Sequence, residues 1–346
     1  MAGYYFHLPA ITQLTIPQQA ALNEPRPIAL SGGPGTGKSV VSLWRHINNY
    51  KNRKRSLLLT YTTTLKEYLK RCCETQNTSA ATNIGTSYRN RPHQNWSEII
   101  VDEAQDLEND YYGDIKQYGN VSYGADDSQI LYPSHCSKQN ELRTLFPSNV
   151  LCVLNKNFRS TQRIMKFAKQ AFPNAVIPQQ TINDLASNIG EWPVMLISNN
   201  KSKQNEALVQ IVNSFRADDQ NIAILLPFKE ENSLSVSNKN NVRYFEDIIK
   251  TIGVEYSVYY EDQVRFPNGC GKISNIHLTT FKSAKGLEFD TVIIPNFDLY
   301  PKVCEDSYVN KWQDFYVACT RARSNLYLIS NYDSQNLDSV TDKQNL

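Results

Sequence analysis

Residues 28–50 read IALSGGPGTGKSVVSLWRHINNY, and this stretch decides the fold. Ile28, Ala29 and Leu30 form a short apolar run suited to a buried strand, and Val40 to Tyr50 carries the apolar spacing of a helix. Between them Gly32, Gly33, Pro34, Gly35, Thr36, Gly37, Lys38 and Ser39 satisfy GxxxxGK[ST]. Glycines let backbone N–H groups curl around an anion at a helix N-terminus. Lys38 adds a point charge for the terminal phosphates, and the Ser39 hydroxyl suits Mg²⁺. Strand, loop and helix in that order make this a phosphate-binding loop rather than a flexible glycine linker.

Downstream, residues 98–106 read EIIVDEAQD. An apolar strand there delivers carboxylates to its C-terminal end, where doubly wound sheets bind ligands. Asp102 is placed to hold the Mg²⁺ through water and Glu103 to orient or deprotonate an attacking water. A solvated acidic helix start would also use acidic residues, but the phosphate loop beside it favours the chemical reading.

The rest of the chain alternates short apolar runs with helical-period segments, the pattern of parallel sheets covered by helices. Strands are expected at Ser56 to Tyr61, Val121 to Tyr123, Val150 to Leu154, Val194 to Ile197, Ile222 to Leu226, Ile276 to Thr280, Thr291 to Ile294 and Leu326 to Ile329. Leu65, Leu69 and Cys72 mark one covering helix, and Ser160 is the expected cap of another. With 346 residues, 40% of them apolar, two domains are expected. Pro147 suggests a boundary: 1–147, then 148–330, with 331–346 as a polar tail. Asn232 to Asn241 reads as a surface loop.

Lysine and arginine total 36 against 34 acidic residues, so a net charge of +2 excludes a globally basic nucleic-acid surface. The seven cysteines (72, 73, 136, 152, 270, 304 and 319) contain no CxxC pair, which argues against a disulfide framework or zinc knuckle. Without an apolar leader or a membrane-length apolar run, the sequence reads as soluble and cytoplasmic.

DEAQD after GGPGTGKS resembles the ATPase core of superfamily 1 helicases, in particular the UvrD/Rep-like branch. Other segments fall into the family's order: Leu14, Thr15, Gln18 and Ala21 as the adenine-reading glutamine motif; Leu59 to Thr62 as the first single-strand contact; Ala125, Asp126, Gln129 and Tyr132 as GDxxQxxY. Asn157, Phe158, Arg159 and Ser160 resemble NYRS, Thr280 with Lys285 to Phe289 resembles TxxxxKGLEF, and Tyr316 to Ala322 resembles YVAxTRA. The resemblance implies two RecA-like P-loop NTPase domains that use ATP and Mg²⁺. It implies that Gln18 bonds the adenine edge, Phe158 stacks on its face, and Gly286 and Glu288 lie beside the nucleotide. Gln129 would sense the terminal phosphate, and Arg159 and Arg321 would reach it as arginine fingers. A guanidinium arriving on closure stabilises charge that spreads in the transition state.

For single-stranded DNA, with RNA also open, the family's contact segments correspond to Tyr61, Thr62, Thr86 and Tyr88, with Thr280 and Lys282 on the second domain. Core packing is an equal reading for Tyr88. Ala125 replaces a glycine, Lys282 replaces the usual histidine, and no FRGA-like continuation follows Tyr132, which removes an expected stacking platform. Only about 26 residues separate the Leu65 helix from the Ile99 strand, and about 110 separate Ser160 from KGLEF, lengths that suffice for core elements alone. The expected function is therefore an ATP-dependent, 3′ to 5′ translocase or helicase in DNA repair or defence. The alternative is an ATP-responsive subunit that switches a partner such as a nuclease.

Overall fold

The computed structural model describes residues 4, 8–175, 177–217, 220–260, 263–265, 273–308 and 310–346. Cys270 and most of the first seven residues lie outside them. The chain divides into two units, residues 6–158 and residues 159–346 together with 1–5.

The first unit holds β1 (Ile28–Ser31), β2 (Ser56–Thr60), β3 (Ile84–Thr86), β4 (Glu98–Val101), β5 (Asn120–Ala125) and β6 (Val150–Val153). They form a six-stranded sheet in the order β3-β2-β4-β5-β1-β6, every adjacent pair parallel. Successive strand residues point to opposite faces, and both faces are covered. Leu57, Leu59, Ile99 and Val101 enter one core cluster, while Leu58 and Ile100 enter the other with Leu65, Leu69 and Cys72. Burial on both sides explains why these strands read as continuous apolar runs. The helix Thr63–Glu74 begins where Thr62 Oγ1 accepts the Leu65 N–H at 3.2 Å.

The second unit holds β7 (Val194–Ile197), β8 (Ile222–Leu226), β9 (Ser257–Tyr260), β10 (Gln263–Arg265), β11 (Ile276–Thr280), β12 (Phe289–Ile294), β13 (Ala322–Ser330) and β14 (Asp342–Asn345). Their order is β10-β9-β11-β8-β12-β13-β7-β14, parallel except for β9 with β10. Apart from the β9–β10 addition at one edge, β7, β8, β11, β12, β13 and β14 occupy in chain order the places of β1 to β6. The second sheet thus repeats the connectivity of the first, a repeat invisible in the sequence.

Four expectations are corrected. The strand at 150–153 does not open the second domain; it pairs with β1 through Ile28↔Val150 and closes the first sheet, so the division falls after Phe158. The stretch from 331 is no frayed tail, since β14 lies parallel to β7. The helix Gln162–Ala171 is capped by Thr161, whose Oγ1 accepts from Ile164 N–H, while Ser160 Oγ donates to Ala322 O at 3.0 Å. The 232–241 segment also carries buried Val236, Asn240 and Asn241, and Asn241 caps the helix Val242–Lys250.

Candidate functional site

The phosphate loop leaves β1 at Gly32 and enters the helix Lys38–Lys51 through Gly37. Glycine is required at both ends. At Gly32 (φ 154°) a Cβ would meet Leu154 O at 2.2 Å; at Gly37 (φ 87°) it would meet Gln18 Nε2 at 2.4 Å. Lys38 Nζ donates to Gly32 O at 2.6 Å and Gly33 O at 3.0 Å, and Thr36 Oγ1 donates to Gly33 O at 2.9 Å. The ammonium is thereby held over the mouth of the loop, where phosphate oxygens are stronger acceptors than carbonyls.

Asp102 follows β4 and is buried. Burial first, then the adjacent Glu103 charge, push its carboxyl up to about 7, against the Ser39 hydroxyl bond and the Lys38 charge that pull it down. Its Oδ2 is buried without a hydrogen-bond partner. A carboxylate oxygen without a partner beside a serine hydroxyl fits an oxygen-seeking divalent cation.

Glu103 stands in the left-handed region at φ 57°, ψ 46°, a conformation that costs a non-glycine residue about 1–2 kcal/mol. Gln105 Nε2 donates to Glu103 Oε2 at 2.6 Å, and Gln105 Oε1 accepts from the Asp126 N–H at 3.2 Å. Asp126 Oδ2 in turn accepts from Gln129 Nε2 at 2.6 Å and lies 3.7 Å from Lys38 Nζ. One buried network therefore joins Lys38, Glu103 and Gln129. Sequence reasoning assigned no role to its connectors, Gln105 and Asp126; their only signal was their place inside DEAQD and the element at 125–132.

Gln18 and Phe158 approach the loop from other elements of this unit. Gln18 Nε2 donates to Thr36 O at 3.0 Å, and Gln18 Oε1 accepts from Thr15 N–H at 2.9 Å. Phe158 N–H donates to Gly35 O at 2.9 Å, and Asn157 Nδ2 donates to Pro34 O at 3.0 Å. The Phe158 ring is 45% exposed.

Beyond the C-terminal ends of β2 and β3, Tyr61 packs tilted on Tyr132 with centroids 4.8 Å apart and edge-on to Tyr88 at 5.6 Å. Tyr88 is 62% exposed, which removes the core-packing reading. Tyr132 joins this aromatic group although the expected aromatic continuation after it is missing. Thr86 is buried, its N–H donating to Asn90 Oδ1 at 3.0 Å, and Thr62 is engaged as a helix cap.

In the second unit, Glu288 accepts from Arg159 Nε at 3.2 Å and Arg323 Nη1 at 3.3 Å. Arg321 is fully buried, with Nε on Val317 O at 3.0 Å and Nη1 on Leu287 O at 3.4 Å. Gly286, at φ 83°, makes the turn before β12. Lys282 Nζ lies 2.7 Å from Asp314 Oδ1, where burial raises the carboxyl and the lysine charge lowers it. Thr280 Oγ1 donates to Ser283 Oγ at 3.0 Å. Both side chains assigned to nucleic acid here thus have partners within their own unit.

A parallel sheet with this strand order, a phosphate loop after its first strand and an acidic pair after its fourth defines a P-loop NTPase domain. Residues 238–333 match the UvrD-like helicase C-terminal domain family. The motifs of the first unit resemble those of the same superfamily 1 helicases. A protein of Acanthamoeba polyphaga mimivirus, named as an ATP-dependent DNA helicase, is 26% identical over 256 residues; the match covers 68% of this chain and 35% of that protein. The chain therefore spans about a third of that relative's length. Among solved structures, Pif1 helicase from Candida albicans has a TM-score of 0.44 at 13% identity, covering 94% of this chain and 98% of that one. The arterivirus nonstructural protein 10 helicase in complex with DNA has 0.44 at 13%, covering 94% and 65%. The fold assignment rests on the chain's own strand order and phosphate loop. Among the described residues no helix is long and apolar enough to cross a membrane.

Proposed function

We propose that the chain is an ATP-driven motor on single-stranded DNA, stepping 3′ to 5′, that serves in DNA repair or defence. The observation that carries this reading is the buried network in which Lys38, Glu103 and Gln129 are tied through Asp126 and Gln105, in a chain whose other unit matches a UvrD-like helicase domain. Gly33 to Ser39 cradle the triphosphate and Lys38 neutralises its terminal oxygens. Ser39 and Asp102 would hold a Mg²⁺ ion, which would supply positive charge to neutralise the phosphates. Glu103, its Oε2 fixed by Gln105, aligns water for attack on the terminal phosphorus, and Gln129 reports the presence of that phosphate to β5 and the element after it. Arg159 and Arg321 would have to leave Glu288 and the Val317 and Leu287 carbonyls to add positive charge for phosphoryl transfer. Tyr61, Tyr88 and Tyr132 offer base-stacking faces, which need no particular sequence.

The short connections, about 26 and about 110 residues, leave room for core elements alone. This observation favours a second reading, in which the chain switches a partner such as a nuclease and does not open duplex by itself. Purified chain assayed for ATP hydrolysis with and without single-stranded DNA tests the first reading. Stimulation by the strand supports it; no strand binding and no stimulation refute it. Strand displacement by the chain alone, against displacement only with a partner, separates motor from switch.

A further inference from the structure

We propose that Arg323, two residues beyond Arg321 in the chain, is a positioning residue: it loosens the hold of Glu288 on Arg159 and so frees that guanidinium for phosphoryl transfer. The inference rests on the NTPase reading above. In the second unit one carboxylate serves two cations. Glu288 Oε2 accepts from Arg159 Nε at 3.2 Å, and Oε1 accepts from Arg323 Nη1 at 3.3 Å. Backbone pairing builds this arrangement. Phe289, the first residue of β12, is paired with Ala322, the first of β13, and its N–H donates to Arg321 O at 3.0 Å. Glu288 precedes that pair, Arg323 follows it, and Ser160 Oγ on Ala322 O ties the backbone next to Arg159 to the same strand start.

The two arginines stand differently toward Glu288. The Arg159 and Glu288 side chains are only 15% and 21% exposed, so water screens their attraction weakly and the pair by itself would be a firm tether. Arg323 is 33% exposed and lies between two carboxylates, with Nε 3.9 Å from Asp290 Oδ1. Asp290 is itself fixed by the Asn221 N–H, which donates to Oδ2 at 2.9 Å. A second positive charge on Glu288 weakens its attraction for the first. It also stays behind when the first moves off, so Glu288 is not left half-buried without a partner, which is the costly outcome. Charge balance sets this effect, and it operates however many of the Arg159 N–H groups Glu288 engages.

The test uses the full chain with single-stranded DNA and Mg²⁺ and reads single-turnover hydrolysis at saturating ATP. Arg323→Ala should slow that step about tenfold, the size expected for one charge-assisted contact. The ATP concentration giving half the maximal rate should stay within about threefold of the wild-type value. Arg323→Lys keeps the charge and should recover most of the rate. Arg323→Gln, which keeps the reach without the charge, should be as slow as Arg323→Ala and replaces it if alanine unfolds the chain. The deciding comparison is made in the Glu288→Gln background, where the charge that holds Arg159 is gone. There Arg323→Ala should change the rate by less than about twofold, a non-additive pair. A fall as large as in the wild-type background, which a merely structural role or a direct contact with nucleotide would give, overturns the proposal. So does an unchanged or faster rate in Arg323→Ala alone, and either result leaves the NTPase reading intact. If the wild-type chain hydrolyses no ATP, the NTPase reading fails and this inference falls with it.

Discussion

Lys38 and Glu103 belong to one network, and the proposed function gives them different steps that single substitutions should separate. Lys38→Ala removes a charged donor over the loop, and nucleotide affinity should fall by about 2 kcal/mol, roughly 30-fold in Kd; titration with a fluorescent nucleotide measures it. Glu103→Gln keeps the size and loses the base, so binding should persist while kcat drops by about 10² to 10⁴, seen in single-turnover hydrolysis. Both residues were legible in the sequence because chemistry fixes residue type and spacing at such positions. Gln105 was not, because its value lies in joining Glu103 to the Asp126 N–H across 21 residues. Nor was the pairing of Lys282 with Asp314, since no local pattern states which carboxylate a lysine will meet.

Among elements, the ten strands expected from apolar runs are present, whereas β3, β9, β10 and β14 went unread. β3 is only Ile84–Thr86 with a central glycine, and β14 is the polar DKQN, held by backbone pairing to β7 and thus without an apolar signature. Two elements bury histidines in matching fashion. His46, in the helix Lys38–Lys51, has its ring nitrogens 2.9 Å from Ser56 Oγ and 2.9 Å from Ala80 O. His277, on β11, has Nδ1 2.8 Å from Ser257 Oγ. Burial lowers both, His46 to about 4 and His277 to about 3. The unfolded chain thus binds protons that the folded state refuses. The histidine contribution to stability is complete above about pH 6.5, drains as pH falls toward 4 and levels off below the folded pKa values, while Asp102, whose carboxyl is raised to about 7, contributes the opposite sign over that range. Comparing urea midpoints at pH 7 and pH 4 isolates the histidine term: His46→Asn should lose less stability, or gain more, than the wild type on acidification. At the strand-contact element, Tyr61→Ala should weaken binding of a single-stranded oligonucleotide by about 1–3 kcal/mol, read by fluorescence anisotropy, with ATP hydrolysis in the absence of DNA unchanged.

At the scale of the whole molecule, the two units share one connectivity but not one chemistry. Where Asp126 N–H meets Gln105 Oε1 at the end of β5, Asn331 N–H meets Asp298 Oδ1 at 2.8 Å at the end of β13. Where Lys38 opens the helix after β1, Lys201 opens the helix after β7, but its Nζ is bonded to Asn296 Oδ1 at 2.6 Å and Gln204 Oε1 at 3.0 Å. Three residues, 198–200, connect β7 to that helix, and none is glycine, whereas six connect β1 to the first. The repeat was hidden from the sequence because only the backbone path is kept.

The bend after β4 has its counterpart after β12, where Asn296 adopts φ 54°, ψ 40°, nearly the angles of Glu103. Asparagine enters that conformation more readily than glutamate. Glu103→Asn should accordingly raise the melting temperature, by about 1 kcal/mol of added stability, even as turnover disappears. A thermal melt of the two proteins side by side would show the trade: the carboxylate proposed to align the water sits in a posture that a neutral amide would hold with less effort.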